Sequence, residues 1–236
     1  MSIDIQVVKD PAQACARMLG AAAASGGELV LTGGSTPRRA YELAAGAAPG
    51  DWAGASLWFT DERCVAPDSE LSNFQMVKAA LLDPLGEAGV SVRKCRRIGG
   101  EHGHEQAAAE YQRELAQAGQ DAGGLAFELV LIGVGPDSHI CSMFPGQASL
   151  QERARLAVGV PMAGLEPFVP RVTLTFAALR RARRVLVLAT GTAKADAICA
   201  SFAQDAVPTP EHPASLLREY VGEITVLLDE QAASRL

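Results

Sequence analysis

The amino-acid sequence predicts an α/β fold, one domain over residues 1–236, with a parallel-dominated sheet and helices on both faces. Three observations predict it. Short β-branched runs alternate with Ala-rich stretches of helical character, which is a βαβ rhythm. The run Phe127 to Ile132 is almost purely apolar, as a parallel strand covered on both faces must be. Of the 236 residues, 48% are hydrophobic and 20% charged, so a core of this size can be filled. No repeat, low-complexity tract or long linker marks a boundary.

The first unit pairs a strand from Ile3 to Val8 with a helix from Pro11 to Ala24. Asp10 can accept the free N–H groups at the helix start, Pro11 suits the first helical position, and Gly26-Gly27 supplies the stop. The strand Glu28 to Leu31 runs through Thr32-Gly33-Gly34-Ser35-Thr36 into a helix from Pro37 to about Ala47, with Thr36 as its cap. Ser56 to Thr60 is a third strand. A polar loop opening on Asp61-Glu62-Arg63 follows, then a helix begun at Ser72 and carried by Phe74, Val77, Leu81 and Leu82.

Residues 90–98 form an ill-defined strand, and residues 105–118 a surface helix rich in Glu, Gln and Ala. The run at 127–132 should lie centrally in the sheet. Further strands are expected at Leu156–Val160, Arg171–Thr175, Val185–Ala189 and Ile224–Leu228, with helices near Ala177–Arg181 and Thr192–Phe202. Val207 to Pro213 is a loop. In a sheet of this kind the site lies beyond the carboxyl ends of the strands.

The net charge is −6, and the 21 basic and 27 acidic residues are interspersed, so no basic face is available to track nucleic acid. An anionic ligand would be held by a few local Arg, Lys and backbone N–H groups. The start, MSIDIQVVKDPAQ, lacks a secretory pattern, and no apolar stretch could span a bilayer, so a cytoplasmic protein with no membrane partner is expected. Five cysteines without a CxxC pair read as reduced thiols rather than as disulfides or a zinc site.

Gly33-Gly34-Ser35-Thr36-Pro37 lies where a strand ends and a helix begins. Free N–H groups, two hydroxyls and the helix dipole converge there on an anion, although a tight turn with an ordinary cap has the same pattern. Gly133-Val134-Gly135-Pro136-Asp137-Ser138-His139 also follows a buried strand, but lacks the third glycine of a dinucleotide fingerprint. It delivers His139, a candidate base, to the carboxyl edge, with Asp137 placed to orient the ring or to bind a hydroxyl.

Asp61-Glu62-Arg63 brings carboxylates and a guanidinium suited to phosphate to the same edge; a salt-bridged loop is the competing explanation. Lys194 stands at another helix start, and Arg171 opens an apolar run where a buried cation calls for an anion. His102, His104 and His212 are expected to face solvent, and Arg180, Arg181, Arg183 and Arg184 to form a solvated helix end.

Together, LTGGSTPRRAYELAA, WFTDERCVAPDSELSNFQMV, LVLIGVGPDSHICSMFPG and VPRVTLTFAAL, in this order and spacing, resemble the 6-phosphogluconolactonase family. The resemblance implies a Rossmann-like three-layer fold and hydrolysis of 6-phosphoglucono-δ-lactone to 6-phosphogluconate with neither metal nor organic cofactor. It implies His139 as the base that activates water, with Asp61 in the same pocket. Arg63, Arg171 and Lys194 become phosphate and substrate ligands, beside an anion loop of Gly33, Gly34, Ser35 and Thr36.

Ser138 departs from the family pattern, which has glycine there, at a position where a positive φ would suit glycine. A glucosamine-6-phosphate deaminase or isomerase on the same fold, in which Asp61 would shuttle a proton, is an alternative. Asp61-Glu62-Arg63 argues against it, since deaminases of that group carry Asp-Glu-Tyr. A non-catalytic sugar-phosphate sensor is the other. The expected partner is a small phosphorylated sugar lactone, bound by a monomer or small homo-oligomer.

Overall fold

The computed structural model describes residues 3–121, 124–219 and 222–236. Strand β1 (Ile3–Val7) leads into α1 (Pro11–Ala24), whose first turn is capped by Asp10 Oδ1 accepting from Gln13 N at 3.0 Å. Gly26, at φ 71°, turns the chain out of the helix as its sequence position suggests. Then come β2 (Glu28–Leu31) and α2 (Ser35–Ala47). This helix starts two residues earlier than expected, because Gly34 at φ 107° is the boundary residue and Thr36 lies inside the first turn.

The chain continues through β3 (Ser56–Phe59), β4 (Asp61–Arg63), α3 (Asn73–Val77), α4 (Asp83–Glu87), β5 (Lys94–Cys95), α5 (His104–Asp121) and β6 (Leu129–Gly133). It ends with β7 (Ala157–Val160), β8 (Arg171–Leu174), α6 (Phe176–Leu179), β9 (Arg184–Ala189), α7 (Ala195–Phe202) and β10 (Glu223–Leu228). The ill-defined strand at 90–98 shrinks to the two residues of β5, an edge strand.

Seven strands form one parallel sheet in the order β1-β10-β9-β6-β2-β3-β5, with the apolar β6 in the middle. Helices cover both faces, as the adjacent pair Trp58 and Phe59 demonstrates. Side chains alternate along a strand. Trp58 meets Tyr111 of α5 at 5.7 Å and Phe59 meets Phe74 of α3 at 6.0 Å, so those helices lie on opposite faces. Tyrosine hydroxyls fasten helices to the sheet backbone: Tyr41 at Thr32 and Tyr111 at Phe59, each donating to a carbonyl and accepting from an N–H.

Two expectations are corrected. Asp61–Arg63 is a strand rather than a loop, and β7 and β8 do not join the parallel sheet. With β4 they form a separate antiparallel sheet, β4-β8-β7. Residues directly opposite in an antiparallel pair share a face. The register Asp61↔Thr173 and Arg63↔Arg171 therefore puts two cations, a carboxylate and a hydroxyl on one side of the small sheet.

Candidate active site

After β2 the chain moves outward to β3 and β5, whereas after β6 it moves the other way to β9 and β10. The loops following these two adjacent strands diverge, and a crevice opens at the carboxyl edge between them. The cavity there has a volume of about 420 Å3. Gly33, Gly34, Ser35, Thr36, Asp61, Arg63, His139, Arg171 and Lys194 all line it. Asp137, the remaining residue expected at the site, stands behind His139 and is bonded to it.

The loop that carries His139 owes its shape to Gly135. A Cβ there would lie 2.1 Å from His139 Nδ1 and 2.5 Å from Asp137 Oδ1, so only glycine lets the ring fold back over the turn. His139 Nδ1 is 2.5 Å from Asp137 Oδ1, and the ring packs on Phe144 with centroids 4.4 Å apart. Asp137 orients the imidazole with Nδ1–H donating, which leaves the Nε2 lone pair open. Burial pushes the Asp137 carboxyl up, but the hydrogen bonds from the ring and the backbone N–H of His139 help to outweigh it and hold it below its usual value. Ser138, at φ 66°, occupies the left-handed conformation that the family glycine suggested, and Cys141 is at φ 54°.

Asp61 is buried with both oxygens engaged: Oδ1 accepts from Thr60 Oγ1 at 2.8 Å and Oδ2 from Ser142 Oγ at 2.7 Å. The Ser142 N–H donates to Thr173 Oγ1 at 3.0 Å, so the loop that carries His139 is moored to the face of the small sheet. A carboxylate has about four acceptor sites, and two remain for a ligand hydroxyl.

Glu62 points the other way. It accepts from the backbone N–H of Asn73 and Phe74 and from Ser72 Oγ, at 2.7 to 3.0 Å, which seats α3 against the site. Asn73 Nδ2 in turn donates to Asp61 O at 3.0 Å, and its Oδ1 would lie 1.8 Å from any Cβ on Gly33. Sequence reasoning missed Glu62, Asn73, Ser142 and Thr173 as parts of this frame. The alternation in Asp-Glu-Arg, had it been taken as a strand, would have separated Glu62 from its neighbours.

Three cations face the cavity. Arg63 donates from Nη1 to Leu71 O at 2.6 Å, and Arg171 from Nη2 to Pro167 O at 3.1 Å. Each keeps a buried Nε with no partner. Among the described residues neither they nor Lys194 forms a salt bridge. Arg171 is only 3% exposed; burial first, then the neighbouring Arg63, lowers its proton affinity. Burial also lowers that of Lys194, against the pull of Asp137. Cations held unpaired and partly desolvated carry a cost that a bound anion would relieve.

Burial lifts the Cys64 thiol to about 11 and raises that of Cys141 as well, so neither is a thiolate near neutral pH. His102 is exposed as expected. His104 and His212 are not: both are half-buried, and His212 Nδ1 lies 3.3 Å from Ser138 Oγ. Arg183 and Arg184 pair with Glu128, away from the cavity.

An Asp–His pair and three cations that form no salt bridge among the described residues surround one switch-point cavity of an α/β fold. The chain belongs to the family of glucosamine-6-phosphate isomerases and 6-phosphogluconolactonase, whose model matches residues 5–226. It is 37% identical to the 6-phosphogluconolactonase of Homo sapiens over 211 residues, 87% of this chain and 79% of that protein. The solved 6-phosphogluconolactonase of Trypanosoma brucei superposes with a TM-score of 0.84 at 27% identity, covering 100% of this chain and 99% of that one. A monomeric glucosamine-6-phosphate deaminase superposes at 0.82 with 18% identity and full coverage of both chains, which speaks to the fold alone.

Proposed function

We propose that this chain hydrolyses 6-phosphoglucono-δ-lactone to 6-phosphogluconate, with His139 as the base. The carrying observation is that Asp137 occupies His139 Nδ1, so the free nitrogen of the ring is Nε2, in a cavity furnished with three unpaired cations. Arg63, Arg171, Lys194 and the N-terminal turn of α2 hold the phosphate and place the C1 carbonyl near Nε2. Nε2 takes a proton as water adds to C1. The developing oxyanion is stabilised by a cation or a free N–H of the loop. Collapse of the adduct breaks the bond from C1 to the ring oxygen, which receives the proton from Nε2, and the acid product ionises.

Family relatives that carry the lactonase name support this reading, as does the preparation of the cavity for an anion. In the same reading the chain works as one lactonase-like unit in the cytoplasm, on a small phosphorylated lactone. Among the described residues no helix is long and apolar enough to cross a membrane.

The test is acid release from lactone generated in situ, comparing the native chain, His139→Ala and the spontaneous background. Native hydrolysis should exceed background by orders of magnitude, and His139→Ala should lose roughly 10²–10⁴-fold in kcat. A native rate equal to background overturns the activity, and full activity in His139→Ala overturns the base. Ammonia released from glucosamine 6-phosphate would instead make the chain a deaminase.

A further inference from the structure

The base loop is held from behind by a segment that no reading of the catalytic groups requires. Ser138 sits at φ 66°, a conformation that disfavours any residue with a Cβ, and is 1% exposed. Its Oγ lies 3.3 Å from His212 Nδ1, and its carbonyl accepts from Ala214 N at 2.9 Å. One residue later comes His139.

The segment 209–215 is itself internally fixed. His212 N donates to Thr209 O at 3.1 Å, Ser215 N donates to His212 O at 2.8 Å, and Thr209 N donates to Ser215 Oγ at 2.9 Å. Pro213, Ala214 and Ser215 are buried, and the 3₁₀ turn that they open packs on α7, where Arg218 Nε donates to Ser201 O at 3.1 Å. Lys194 immediately precedes α7. The segment therefore braces the loop that carries the base against the helix behind a phosphate-site cation.

We propose that His212 is a positioning residue, acting through the Ser138 hydroxyl to hold the turn that aims His139. Glycine at position 138 would avoid the conformational penalty and forfeit this tether, so the serine trades backbone ease for a fixed base. The inference rests on His139 being the base, and the experiment separates the two.

Lactone hydrolysis is measured for His212→Ala, His212→Asn, Ser138→Gly and the Ser138→Gly/His212→Ala double variant, with His139→Ala as control. His212→Ala should lower kcat about tenfold with KM within twofold, less than the roughly 10²-fold that a misplacement of about 1 Å can cost. His212→Asn, whose amide reaches the place of Nδ1, should restore most of the rate. Ser138→Gly should show the same loss as His212→Ala without a lower melting temperature. The double variant should lose no more than either single one, as expected for two halves of one contact.

Should His212→Ala fail to fold, Ser138→Gly reports the same contact on its own. An unchanged kcat in Ser138→Gly, or losses that multiply in the double variant, would overturn the inference. So would a His212→Ala chain that melts earlier but turns over at the native rate, since bare structural support predicts that pattern. An active His139→Ala would instead remove the base reading beneath it.

Discussion

Among the depressions of this molecule, two of similar size bear comparison, about 420 Å3 at the switch point and about 450 Å3 beside β5, and cations line both. At the β5 edge three of the four cationic side chains have a carboxylate, and the fourth, Lys94, is exposed to solvent. Arg96 meets Glu28 at 3.3 Å, His102 meets Glu110 at 2.7 Å, and Arg97 grips both oxygens of Glu101 at 2.5 and 2.8 Å. Arg96 further lies over the Trp58 ring at 4.5 Å. At the switch point, Arg63, Arg171 and Lys194 have no such partner among the described residues, and two guanidinium Nε atoms are buried unbonded. Neither volume nor the mere presence of cations separates the two hollows. Unpaired cations taken out of solvent do, because a protein that buries unpaired cations loses stability unless a ligand answers them.

Replacing the unpaired cations puts that comparison under the heaviest load. A hydrogen bond to a charged group contributes about 1.5–3 kcal/mol, so Arg63→Met or Arg171→Met should weaken 6-phosphogluconate binding roughly 10–100-fold by calorimetry. Arg97→Met, in the other hollow, should leave it unchanged. Arg171→Met should also raise the melting temperature of the ligand-free chain, since an apolar side chain removes the desolvation cost of a nearly buried guanidinium. Equal losses of affinity from Arg97→Met and Arg171→Met would dissolve the distinction between the hollows.

Lys194 sharpens the comparison through pH. Its proton affinity is lowered from the ordinary 10.5 by burial, with Asp137 pulling back. A lysine with a lowered value deprotonates earlier as pH rises, so product affinity should fall, by up to about tenfold, over the alkaline range below the usual lysine titration. Asp137→Asn removes the opposing charge and should shift that fall to lower pH, whereas Lys194→Arg should abolish it. A fall centred at the ordinary lysine value would mean that the ammonium is solvated like any surface lysine.

Much of this was legible in the chain. The alternation of apolar runs located the parallel sheet, and the purity of Phe127 to Ile132 located its centre, because a strand covered on both faces tolerates no polar alternation. The glycine turns after β2 and β6 announced where backbone and side chains would crowd. What stayed hidden was long-range. Asp61-Glu62-Arg63 is three charged residues in a row, and charge normally means solvated loop. It becomes a strand only because Glu62 finds the free N–H groups of α3 and Asp61 finds Ser142, partners 10 to 81 positions away. His212 was concealed in the same way: it stands in the Pro-containing loop Val207 to Pro213, and its partner Ser138 is 74 positions distant.

The smallest effect belongs to the paired side of the comparison. Glu101 is held at about 2, chiefly by its hydrogen bonds to Arg97, in a pair that is only partly screened from solvent. A carboxylate whose folded value is depressed adds stability above its unfolded value and loses it as pH falls through the folded one. The contribution of this pair should thus fade between about pH 4 and pH 2, and at neutral pH Glu101→Gln should cost only ~0.5 kcal/mol in a denaturant titration, the scale of an exposed i,i+4 pair. The substitution also frees Arg97 without burying it. If pairing is what silences the β5 hollow, freeing one solvated guanidinium should give at most millimolar affinity for inorganic phosphate there. Micromolar binding would show instead that burial adds little to an anion site, and that the β5 hollow had lacked nothing but a vacancy.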